Sequence, residues 1–108
     1  MSSQTRNTPT EPNAGLALDA LGDECARIIL VATSEGPRTA KELTARTDSS
    51  SATVYRRINS LLESDLLAEC IRFEDDGSHT TAYEATVDRL CVDIGADGIC
   101  VTRSPTDE

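Results

Sequence analysis

Few residues in this chain could do chemistry unaided. The 108-residue sequence holds four cysteines, Cys25, Cys70, Cys91 and Cys100, and a single histidine, His79. The cysteines show no Cys-x-x-C spacing, and a structural zinc site needs its ligands paired at short intervals. No metal and no other cofactor is therefore expected. Unligated cysteines usually serve as small core residues. The competing reading is thiol redox chemistry, with Cys25, Cys91 and Cys100 as its candidates. Cys25 falls in the first turn of a predicted helix, where the positive dipole end lowers a thiol pKa, but Asp23 and Glu24 beside it push that pKa back up. It is expected to be mainly packed. Asp75 and Asp76 resemble a carboxylate pair, yet adjacent loop acids are usually solvated charge. Gly95 and Gly98 fit a hairpin turn better than a phosphate-binding loop. No set of nucleophile, base and orienting group can be assembled, and an enzyme is not expected.

A second group of residues offers recognition rather than catalysis. Between residues 49 and 62 there is no acid, and the segment reads Ser-Ser-Ser-Ala-Thr-Val-Tyr-Arg-Arg-Ile-Asn-Ser-Leu-Leu. At 100° per residue, Val54, Ile58, Leu61 and Leu62 form one stripe. Ala52, Arg56, Asn59 and Ser60 lie opposite, with Thr53 and Arg57 toward one flank and Tyr55 toward the other. A helix face of small polar residues and arginine can enter a major groove and donate to phosphates and base edges.

The elements that must hold this face follow from periodicity. Leu18, Leu21, Cys25, Ile28 and Ala32 recur at helical spacing. Asp23 can cap the main run, and Gly36-Pro37 stops it. This predicts a helical turn over 16–21 and a helix over 24–35. Ile29, Leu30 and Val31 widen its apolar face enough to serve both a core and a second subunit. Thr39-Ala40-Lys41-Glu42 is a capping box opening a short helix to Arg46 with Leu43 inward. A turn over 47–50 leads to the third helix, capped by Ser50 or Ser51 and ending near Ser64. Residues 67–73 and 80–87 read as strands around an Asp75-Asp76-Gly77-Ser78 turn. In a second hairpin, Leu90, Val92 and Ile94 alternate, and 95–98 turns. Opposing Ile94 to Ile99 and Val92 to Val101 puts the large apolar side chains on one face, a match that a one-residue slip destroys. Cys91 and Cys100 then sit on a diagonal of the other face.

The charge distribution sharpens the recognition reading. The chain carries 10 basic and 19 acidic residues, a net charge of -9. Residues 36–62 hold five basic residues (Arg38, Lys41, Arg46, Arg56, Arg57) against two acids (Glu42, Asp48), a balance of +3, which leaves -12 for the rest. A basic island on an acidic body suits a nucleic-acid-reading element. The acidic, lysine-poor, weakly hydrophobic composition matches proteins of salt-in halophiles, in which salt screens bulk repulsion from DNA. Residues 1–15 and 104–108 are too polar to fold and are expected to be disordered tails. No export signal or membrane span is visible, so a cytoplasmic protein is expected, without a membrane partner.

The run Leu21-Gly22-Asp23, Ile29-Leu30, Glu35-Gly36-Pro37-Arg38-Thr39, Glu42-Leu43, Ser51-Ala52-Thr53-Val54-Tyr55-Arg56-Arg57-Ile58, Leu61-Leu62 and Leu66-Leu67 resembles winged helix-turn-helix transcriptional regulators of the ArsR/MarR type, the small haloarchaeal ones above all. The resemblance spans residues 21–85. It implies an α+β fold, a three-helix core with a wing hairpin over 16–87; the C-terminal dimerisation helix common in the family is replaced here by the additional β-hairpin over 88–103, the candidate dimerisation element. It implies a homodimer on double-stranded DNA with half-sites one turn apart, ~34–36 Å. Ser50, Ser51, Thr53, Tyr55, Arg56 and Arg57 occupy recognition-helix positions, Arg38 and Lys41 add basic contacts, and Arg72 with 76–79 falls on strand and wing. The family usually places Gly in the turn after the recognition helix, where Asp65 stands as a poorer left-handed residue. The Asp75-Asp76 wing is acidic where a groove-reading wing prefers Arg or Lys. A small-molecule or redox effector is left open. The rival reading is a winged-helix module that binds another protein and no longer touches DNA.

Overall fold

The computed structural model describes residues 14–105: four helices, α1 (Ala14–Leu21), α2 (Glu24–Ser34), α3 (Ala40–Arg46) and α4 (Ser51–Glu63), then strands β1 (Leu67–Phe73), β2 (His79–Ala85), β3 (Val87–Gly95) and β4 (Gly98–Pro105). The first helix begins at Ala14 and the last strand reaches Pro105, so each takes in two residues of a predicted tail. The rest of those tails, 1–13 and 106–108, lies outside the described residues.

The helix ends are set by the side chains that the sequence offers. Asp23 accepts from the Ala26 amide at 2.8 Å and starts α2. At α3, Thr39 Oγ1 accepts from the Glu42 amide (3.1 Å) while Glu42 Oε1 accepts from the Thr39 amide (3.0 Å). Two otherwise unsatisfied donors are met reciprocally. Ser50 caps α4 through the Thr53 amide. Past α4 the chain turns through Asp65, whose φ of 62° is left-handed. The Asp65 carbonyl is fixed from two sides, by the hydroxyl of Thr86 and by Arg103 Nη1.

One core joins these elements. Ile29, Leu43, Val54, Ile58, Leu61 and Leu66 are all fully buried. The inward face of α1 differs from the sequence expectation. Ala17 and Ala20 are buried, while Leu18 and Leu21 lie at the surface margin. The helix packs on α2, α4 and β4, and small side chains suit a close approach.

β1 and β2 form an antiparallel hairpin, and Arg38 adds an isolated bridge to Tyr83. β3 and β4 form a second antiparallel pair in which Val92 opposes Val101 and Ile94 opposes Ile99. This is the register that the alternation predicted. Cys91 opposes Thr102 and Cys100 opposes Asp93, so the two thiols are diagonal. Gly98 closes the turn at a φ of 128°, which disfavours a side chain. Val101, although on the candidate dimerisation hairpin, is buried in the core of its own chain. The distal part of the hairpin, residues 91–99, is exposed throughout. The architecture is α+β, a winged helix-turn-helix extended by a C-terminal β-hairpin.

Candidate nucleic-acid interface

Helix α4 is amphipathic, and its buried stripe fixes what faces outward. Val54, Ile58 and Leu61 anchor it to the core. Ser51, Ala52, Tyr55, Arg56 and Asn59 are exposed as a result. At its N-terminus a chain of hydroxyls holds the arginine. Ser50 Oγ donates to Thr53 Oγ1 at 3.2 Å, and Arg56 Nη2 donates to the same Thr53 oxygen at 3.3 Å. These bonds restrain a long side chain on the exposed face and lower the entropy lost when it binds.

Helix α3 brings a second cation to the same region. Lys41, Ser51 and Tyr55 line a crevice between α3 and α4 of about 360 Å³ with Ala40, Thr44 and Ala45. The N-termini of both helices carry positive partial charge on their first amides. Six of the predicted site residues, Lys41, Ser50, Ser51, Thr53, Tyr55 and Arg56, thus gather around the start of α4.

The two remaining predicted cations are half-buried and paired with carboxylates of the protein itself. Arg57 Nε lies 2.9 Å from Asp23 Oδ2. The Asp23 carboxyl is held below its ordinary pKa by the Ala26 amide first and then by Arg57. Arg38 Nε donates to the Ala32 carbonyl, its Nη2 pairs with Glu35 at 3.1 Å, and its main chain bridges to Tyr83. Arg46 also reaches Glu35, at 3.6 Å. Among the described residues of the basic segment, Lys41 and Arg56 are the cations without a carboxylate partner.

Arg72, placed on the wing by sequence, is a strut. Its Nη1 and Nη2 donate to the two Glu42 oxygens at 2.9 and 2.8 Å, its Nε donates to Glu74 at 3.1 Å, and Nη1 also meets the Pro37 carbonyl. This fork-to-carboxylate geometry is the strong form of an ion pair. Arg72 and the Thr39 amide hold the Glu42 carboxyl down to about 2. The acid that caps α3 therefore also ties the wing to it, a double role that the local capping signal could not reveal. At the wing tip, the Asp76 carboxylate accepts from the Ser78 amide and hydroxyl, and His79 stacks edge-on against Phe73 at 4.5 Å.

Sequence reasoning had placed Asn59 on the outer face of α4 but left it out of the site. It is exposed one turn beyond Arg56, and its amide can both donate and accept.

The thiols are dispersed. Cys25 and Cys100 are buried, Cys70 is half-buried and Cys91 is exposed. Burial first, and then Glu84, push the Cys70 thiol above its ordinary pKa. Among the described residues no group of three or more His, Cys, Asp or Glu comes together to hold a metal ion, and no helix is long and apolar enough to cross a membrane.

Residues 18–70 match the family model of a helix-turn-helix domain. The match starts within α1 and ends within β1, so it takes in both helices of the motif and stops short of the second hairpin. No curated protein matches the chain.

Proposed function

We propose that this protein is a sequence-specific, double-stranded DNA-binding transcriptional regulator that acts as a homodimer. The observation that carries this reading is the exposed surface at the start of α4. There Arg56 is braced by Ser50 and Thr53, Lys41, Ser51 and Tyr55 lie alongside, and α4 holds no acid before Glu63. Arg56 would reach a phosphate or a guanine edge and Asn59 a base edge, while Lys41, the hydroxyls and the amides at the start of α4 would meet phosphates. Arg38 and Arg57 drop from the contact set into a bracing role. The acidic wing, whose Arg72 is committed to Glu42 and Glu74, adds nothing to phosphate binding.

Val92, Ile94 and Ile99 are exposed on one face of the second hairpin, and Val31 is exposed on α2. These apolar surfaces support a dimer, with the hairpin standing where related regulators carry a helix. The net charge of -9 with one lysine supports a salt-in, haloarchaeal cytoplasm, and the motif order supports the ArsR/MarR-like type.

The test is an anisotropy titration of labelled genomic fragments at molar KCl, followed by footprinting of the tightest. A protected site of two half-sites about one helical turn apart is expected. Uniform affinity for every fragment, unchanged by Arg56→Ala, would refute the reading.

A further inference from the structure

The wing hairpin has an open edge of unusual composition. The alternation of its ladder can be worked out from both ends. The Glu74 amide donates to Ser78 and the Thr86 amide donates to Leu66. In an antiparallel pair, hydrogen-bonded and non-bonded positions alternate. Ala68, Cys70 and Arg72 therefore direct their main-chain groups toward β2, and Glu69, Ile71 and Phe73 direct theirs away from it. The opposite edge confirms the phase. Tyr83, on the alternate set of β2, exchanges both main-chain bonds with Arg38, at 3.0 and 2.8 Å. One edge of the hairpin is thus partly closed by Arg38. Among the described residues, β1 pairs only with β2, and its other edge is open.

That edge lacks the usual protections. Natural edge strands carry lysine, proline or a bulge, or are very short. β1 spans seven residues in unbroken register, and it contains neither lysine nor proline. Ile71 is 57% exposed and Phe73 71%. By strand alternation they share one face with Glu69. Asp75 and Asp76 follow at the tip, and the strand's only cation, Arg72, is neutralised by Glu42 and Glu74. The edge is therefore both apolar and anionic.

We infer that the open edge of β1 is a docking site for an extended, basic segment of another protein, added as a third strand beside Glu69–Phe73. Main-chain bonds to residues 69, 71 and 73 would supply affinity. Apolar side chains of the segment would lie on Ile71 and Phe73, and its lysines or arginines would meet Glu69, Asp75 and Asp76. Charge selects this occupant over a second copy. Antiparallel pairing of two β1 edges would bring two sets of these acids together on chains already at -9. Glu69, Ile71 and Phe73 are none of the residues proposed above to contact DNA, so substitution can separate the two activities.

The probe is a capped octapeptide alternating lysine or arginine with valine, compared with its glutamate counterpart. Full-length protein is titrated by fluorescence anisotropy, and the shifted amides are mapped by NMR. The basic peptide should bind at least about tenfold more tightly than the acidic one, with shifts centred on 69–73. Ile71→Lys and Ile71→Pro alter the outward edge and spare the β1–β2 bonds. Each should weaken the basic peptide by about tenfold or more, with melting temperature and DNA affinity unchanged. Arg56→Ala should do the reverse, losing DNA and keeping the peptide. Equal binding of both peptides, shifts away from β1, or full binding by Ile71→Lys would overturn the inference. So would a wild-type dimer that Ile71→Lys splits, since the edge would then belong to a second copy.

Discussion

Replacing Arg56 and Arg57 one at a time should separate DNA binding from stability, although the two are adjacent and chemically identical. Arg56 is exposed and bonded only to the Thr53 hydroxyl. Its loss removes no core contact, so Arg56→Ala should leave the melting temperature within about 1–2 °C. A lost base or phosphate contact costs ~1–3 kcal/mol, so operator affinity should fall about 5- to 150-fold per half-site. Arg57 is a third exposed and lies 2.9 Å from Asp23, the cap of α2. Partly exposed ion pairs contribute about 0.5–1 kcal/mol. In a domain of this size that is a fall of about 2–8 °C in melting temperature. The Asp23–Ala26 bond survives the substitution, which keeps the loss modest. Operator affinity of Arg57→Ala, measured well below its melting temperature, should change less than about threefold. Circular dichroism melts and anisotropy titrations on the same samples decide the matter. The opposite pattern, with Arg57→Ala losing DNA at an unchanged melting temperature, would show that the Asp23 pair breaks on binding and that the assigned roles are reversed.

Glu42 is depressed to about 2 from an ordinary 4.5, so the unfolded chain takes up its proton first as pH falls. Its contribution is fully present above about pH 4.5 and is lost toward pH 2, and acid titration of Glu42→Gln should show a flatter fall across that window. In the second hairpin, Val101→Glu should unfold the protein, because Val101 is 1% exposed, whereas Ile94→Glu, at a site 78% exposed, should leave the melt unchanged and split the proposed dimer in light scattering. The net charge of -9 is self-repelling, so the melting temperature should rise from low to multimolar KCl, and a flat or falling trend in thermal melts would count against the halophile reading.

What the sequence made legible was local. Both caps of the helix-turn-helix, Thr39 with Glu42 and Ser50 with Thr53, act across three residues and can be read directly. The register of β3 and β4 was legible because Val92, Ile94, Ile99 and Val101 match in only one alignment. What sequence could not give was the pairing of distant charges. Arg72 meets Glu42 across 30 positions, and Arg57 meets Asp23 across the helix core. A helical wheel or a strand position says nothing about a carboxylate on another element. The inward face of α1 failed for a related reason. Leu18 and Leu21 have the right spacing and the greater hydrophobicity, yet Ala17 and Ala20 are the residues that fit against α4.

The same pairing changes what the basic island can contribute. Counted by sequence, residues 36–62 carry five cations. Two of them, Arg38 and Arg46, meet Glu35, and Arg57 meets Asp23, both acids lying outside that window. Lys41 and Arg56 are the cations that remain for the proposed phosphate contacts. Each phosphate neutralised on B-DNA contributes ~0.9 to the slope of log affinity against log salt. Two contacts per protomer would give a slope of at most about -2, and a homodimer about -4. The rest of the affinity must then come from terms that salt weakens little: the hydroxyls of Ser50, Ser51 and Thr53, the amides at the start of α4, and base-edge bonds. Such a division would suit the proposed binding in concentrated salt by a protein of net charge -9. Operator titrations from 0.2 to 2 M KCl would measure the slope directly. A value near -8 or steeper would require Arg38, Arg46 and Arg57 to leave their carboxylates and join the contact, and the internal bracing assigned to them would be wrong.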